Sequence, residues 1–139
     1  MHNNDPIRLL GVIEEEVADP RNDGTRGSAL YAVPFRLSRE PSSEWAELFR
    51  QVWDRPPRFT TMHRPGIARV FGDTLVFDGS TMEEVEKYHL DTLKIVIPRV
   101  NELAEEQERR HQQEIHREGQ EMARHRAAVR EVSKRLQFD

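Results

Sequence analysis

Between Arg50 and Phe71 the chain carries Arg50, Arg55, Arg58, Arg64 and Arg69, with His63, against the single acid Asp54. That local excess of four positive charges stands out in a chain whose net charge is −4. Guanidinium forks match phosphate and carboxylate oxygens in pairs. Arg55, Arg58, His63, Arg64 and Arg69 therefore form a candidate anion site for a nucleotide phosphate, a nucleic-acid backbone or an acidic protein surface. The alternative is a solvated loop in which each cation meets its own carboxylate.

Two Glu-x-x-His pairs, Glu86 with His89 and Glu108 with His111, have the one-turn spacing of carboxylate-bridged metal bundles. Such bundles draw ligands from four helices, and two pairs far apart on one helix cannot share an ion, so no metal or other cofactor is expected. His63, Asp73, Asp78, His89 and Asp91 are the groups from which acid–base chemistry would be built. Asp73 and Asp78 already have turn roles, and Gly-rich phosphate loops, Gly-x-Ser-x-Gly and His-Glu-x-x-His are all absent. A small enzyme with a site near His63 and His89 is thus the minor reading, and no catalytic residue is assigned.

The elements that must position these groups follow from periodicity and turn chemistry. Ile7 to Val17 reads as a strand whose apolar parity changes at Gly11, the mark of a bulge. A loop rich in turn formers follows to Ser28. Tyr31, Val33, Phe35 and Leu37 then alternate as a second strand. Pro34 cannot donate to a ladder, so this strand lies at an edge or turns that position outward. Ser42 or Ser43 caps a helix with Trp45, Leu48, Phe49, Val52 and Trp53 on one face, core rather than binding platform, ended by Pro56-Pro57. Ile67–Phe71 and Thr74–Phe77 form a hairpin across Gly72-Asp73, a type II′ link. Asp78-Gly79 reads as a turn, and Ser80 with Glu83, or Thr81 with Glu84, as a capping box.

From that cap no convincing stop appears for more than fifty residues. Val85, His89, Leu93, Val96, Val100 and Leu103 make one stripe, with Pro98 expected to kink it. A polar stretch to Glu114 follows. Then Ile115, Met122, Val129 and Leu136 recur every seven residues, and Val132 fills one intermediate position. The register points to a partner helix, in a second copy or another protein.

Composition agrees with that division. Charged residues make up 33% of the 139 and apolar residues only 36%, poor for one sphere but natural for a core plus a solvated helix. The chain lacks cysteine, which removes disulfides and thiolate chemistry. No apolar run approaches a membrane span, the N-terminal residues do not resemble a signal peptide, and a cytoplasmic location is the expectation.

The expected fold is α+β in ββαββα order: a four-stranded antiparallel sheet from two hairpins, helices on one face. Residues 1–103 form the domain, and 104–139 continue its last helix as a charged, protruding, coiled-coil-like arm. The expected function is a non-enzymatic assembly or adaptor subunit. It would bind a protein partner or itself through Ile115, Met122, Val129, Val132 and Leu136. Nucleic-acid or nucleotide binding through the Arg50–Arg69 region is the alternative.

Overall fold

A computed structural model describes residues 5–138. Four strands, β1 (Leu9–Val12), β2 (Tyr31–Leu37), β3 (Ala68–Phe71) and β4 (Thr74–Ser80), form one antiparallel sheet in the order β1-β2-β4-β3. Helix α1 spans Ser43–Asp54, and the C-terminal helix begins as the single turn α2 (Met82–Glu84). A π-helical turn, Val85–His89, joins it to α3, Leu90–Arg135. The α+β class and the long C-terminal helix follow directly. By contacts the chain divides into two compact units, Met1–Ala104 and Glu105–Asp139.

The first unit has one core. Val33, Phe35 and Leu37 of β2 and Leu75 and Phe77 of β4 face Trp45, Phe49 and Trp53 of α1 and Leu93, Val96, Ile97 and Val100 of α3. Alternation aims one parity of side chains at the helices, Val33, Phe35 and Leu37 in β2 and Leu75 and Phe77 in β4, which is why β2 reads apolar at every second position. On α1 the buried face is Trp45, Phe49 and Trp53, while Leu48 and Val52 pack at its margin. Ser42 is the N-cap, its side chain accepting from the Trp45 N–H at 3.1 Å.

The bulge at Gly11 is present. Leu9 opposes Leu37 but Gly11 opposes Arg36, leaving Leu10 extra and exposed, with Gly11 at φ +151°. Pro34 lies in an inner strand, so the edge placement does not hold; its orientation explains how it is tolerated. The carbonyls of Ala32 and Pro34 accept from Ala18 and Ile13, so that side of β2 faces the β1 segment. In extended backbone a residue's N and C=O point the same way, so the donor that proline lacks would have pointed there too. Its natural acceptor, the Ile13 carbonyl, instead takes the Glu16 N–H in a 3₁₀ turn (Glu14–Glu16). The chain leaves the ladder opposite the residue that could not have held it.

Gly72, at φ +58°, with Asp73 outside the positive-φ region, makes the β3–β4 link the expected type II′ turn. Asp78-Gly79, by contrast, is no turn. Both residues stay in β4, where the register shifts between Tyr31 and Ala32 and Gly79 takes φ +114°. This second bulge carries β4 on to Ser80. The helix therefore starts one residue later than the first capping box: Thr81 is the N-cap, accepting from the Glu84 N–H at 3.1 Å.

One polar side chain ties the core's ends together. Asn101 Oδ1 accepts from the Ile7 N–H (3.1 Å) and from Trp45 Nε1 (2.9 Å), while its Nδ2 donates to the Ile7 carbonyl (2.9 Å). Asn101→Leu should destabilise the protein by about 2–4 kcal/mol, because three partly buried groups lose partners at once. A fall in the urea midpoint, with Trp45 fluorescence altered in the native state, is the check.

Candidate functional site

The segment after α1 is fastened to the end of that helix. Trp53 Nε1 donates to the Arg64 carbonyl at 3.0 Å, and the Gly66 N–H donates to Asp54 Oδ1 at 2.8 Å. His63 Nε2 lies 2.7 Å from the Trp53 carbonyl. A carbonyl only accepts, so His63 carries its proton on Nε2, leaving Nδ1 buried and without a partner. Gly66, at φ +82°, supplies the left-handed backbone that closes this return.

That anchoring holds Arg64 over the start of the C-terminal helix. Its Nε and Nη2 donate to the two oxygens of Glu84 at 2.7 and 2.8 Å, a side-on fork. Ser80 Oγ donates to the same carboxylate at 3.3 Å. The guanidinium holds Glu84 below the usual carboxylate range, and the carboxylate in turn raises Arg64. Glu84 thus turns toward Arg64, in place of the capping-box role the sequence allowed it.

Beneath the pair lies His89, wholly buried. The backbone N–H of Leu90 reaches the Val85 carbonyl, an i→i+5 bond, and this wider turn brings residue 89 back toward Glu84. His89 Nε2 stands 3.4 Å from Glu84 Oε1 without hydrogen-bond alignment, and neither ring nitrogen has a hydrogen-bond partner. Burial pushes the imidazole below its ordinary value of 6.5; the nearby carboxylate opposes that, incompletely. His63 is lowered as well, again mainly by burial. Trp53 fills the space among them, its ring 4.6 Å from His63 and Phe77 and 5.6 Å from His89.

The sequence's candidates are thus distributed unevenly. His63, Arg64 and His89 converge, joined by Glu84, Ser80 and Trp53, none of which had been singled out for chemistry. Glu86, which shares the Glu-x-x-His spacing with His89, is exposed, and it is Glu84 that stands beside the imidazole. Only an unforeseen π turn makes that pairing, so helical spacing could not have found it. Arg50 pairs with Glu47 (3.1 Å) and Arg69 with Asp78 (3.9 Å). Arg55 and Arg58 are exposed, and among the described residues their side chains meet no carboxylate.

A neutral imidazole beside an arginine-bound carboxylate is a proton-transfer arrangement only if a substrate can reach it. Two grooves lie elsewhere. One, about 360 Å³, runs between Glu40–Glu47 and Val70. The other, about 240 Å³, lies beside Leu10–Ile13. Among the described residues no three His, Asp or Glu cluster as metal ligands would, and no helix is long and apolar enough to cross a membrane. No protein-family model, curated protein or solved structure matches the chain.

The closed cluster has a pH signature. His89 and His63 bind protons more readily unfolded than folded, so stability is complete above pH 6.5, the unfolded value, and falls as pH drops below it. A second loss follows below 4.5 as Glu84, depressed when folded, is protonated on unfolding. The urea midpoint should therefore fall between pH 7.5 and 5.5, and His89→Leu should flatten that fall. An unchanged slope in the variant would show that His89 is not the titrating group.

Proposed function

We propose that this chain is a non-enzymatic assembly or adaptor subunit that acts by offering its C-terminal helix to another helix. One observation carries the reading. From Glu105 to Phe138 every residue is exposed, yet Ile115, Met122, Val129 and Val132 of the helix, and Leu136 just past its last residue, keep heptad positions there, each about half exposed. Aliphatic groups recurring at that interval on a polar helix have a use only against a second surface. In the ionisable cluster of the first unit, in contrast, Arg64 and Glu84 are engaged with each other.

The helix without a partner is held by local pairs. Glu105 with Arg109 and Glu106 with Arg110 lie at i,i+4, at 3.2 and 2.7 Å, in the favourable acid-first order. Arg117 reaches both Glu114 and Glu121. Exposed pairs of this kind are weak, so they support helicity without supplying a fold.

Met122→Glu combined with Val129→Glu in the full chain should abolish assembly, read by sedimentation velocity or partner binding. The first unit should be untouched. Trp45 and Trp53, the chain's two tryptophans, both lie in it, so fluorescence reports on that unit alone. Assembly that survives both charges overturns the proposal.

A second reading, nucleic-acid or nucleotide phosphate binding, is favoured by the two unengaged guanidiniums of Arg55 and Arg58. Its signature is a steep loss of binding with salt. Arg55→Glu with Arg58→Glu should then reduce single-stranded nucleic-acid binding about tenfold or more; no binding by the parent chain at low salt ends that reading.

A further inference from the structure

The charges of the second unit are segregated along its length. Residues 105–121 hold six glutamates against Arg109, Arg110 and Arg117, a net −3. Residues 122–138 hold Arg124, Arg126, Arg130, Lys134 and Arg135 against Glu131, a net +4. The helix dipole does not account for this, because its influence is confined to the first and last turns. Local i,i+4 pairing does not either, since it needs alternation within each half. Two such helices side by side and parallel would set acid on acid and base on base. Reversed, each half meets its complement.

From this charge complementarity we infer that the helix pairs antiparallel with a second copy of this chain, a proposal that rests on the assembly reading above. The heptad positions select a register. In antiparallel packing the seam positions of the Ile115 series meet those of the Val132 series. Setting Ile115 against Val132 of the second copy also sets Met122 against His125 and Val129 against Glu118, each twice by symmetry, and brings Leu136, the residue after the helix's last, to the level of His111. Every layer then contains an aliphatic side chain. Glu114 flanks the seam opposite Arg135, and Arg126 opposite Gly119, so no like charges face one another. Sliding one heptad toward the C-terminus brings Arg126 against its own copy. Parallel pairing stacks Glu118 on Glu118 in the seam.

The cysteine-free chain allows a clean test. Ile115→Cys and Val132→Cys variants of the full chain, mixed and oxidised, should give the mixed disulfide dimer, with little dimer from either variant alone. Self-linked Ile115→Cys dimers would overturn the antiparallel arrangement while leaving helix pairing in place. A chain monomeric at its highest soluble concentration would overturn self-pairing altogether. The assembly reading would then be decided separately, by whether Met122→Glu with Val129→Glu abolishes binding to a different protein. If the cysteines themselves disturb pairing, Arg135→Glu should weaken the dimer about tenfold and Glu114→Arg in the same chain should restore it. Failure to restore it overturns the register.

Discussion

The fork between Arg64 and Glu84 joins three stretches that the chain keeps apart: the segment after α1, the end of β4 and the first turn of the C-terminal helix. A carboxylate this shielded is tolerable only with donors on it, and Arg64 and Ser80 supply three. Removing one member of such a pair leaves the other charge stranded, so the two stand or fall together. The fork also decides what happens below it. With Arg64 bound to Glu84, a second positive charge on buried His89 gains little from the shared carboxylate and pays full desolvation. The imidazole is therefore neutral, and the core closes over it.

Trp53 makes that closure specific. Its backbone carbonyl fixes the His63 tautomer, its indole N–H holds the Arg64 backbone, and its ring fills the space between both histidines and Phe77. One side chain thus sets the position of the arginine, and through it the glutamate. Asn101 has the same logic at the far end of the core, where it joins the strand entry at Ile7 to Trp45. Between these two polar fasteners the interior is mainly aliphatic and aromatic, and burial of that surface is its main support.

Much of the fold was legible because it depends on local rules. The Gly11 bulge, the Ser42 cap, the Gly72 turn and the apolar faces of β2 and α1 each follow from neighbouring residues. What escaped is what depends on distant ones. Asp78-Gly79 has turn chemistry, yet pairing with β2 keeps it in the strand as a bulge. Pro34 was compatible with an edge or an outward position, and only the 3₁₀ turn across from it decides. The cluster at Glu84 was half visible: His63, Arg64 and His89 stood out by type, but Glu84 was concealed by its plausible role in a cap. Arg64 outcompetes that role, since a charged fork is worth more than one backbone amide.

The C-terminal helix obeys a different constraint. Among the described residues every one beyond Ala104 is exposed, so the helicity of that stretch rests on propensity and surface ion pairs, both small per residue. Gly119 works against it at about 1 kcal/mol. A helix selected only for solubility would gain by replacing Ile115, Met122, Val129, Val132 and Leu136 with alanine, glutamate or lysine, which form helix as well or better and leave less apolar surface in water. Their presence, four of them at a strict spacing of seven with Val132 between, costs solubility and contributes nothing to an isolated helix. In the proposed pairing, polar Glu118 and His125 would keep the seam weak; where apolar burial is small, charge complementarity along the two halves would decide the arrangement.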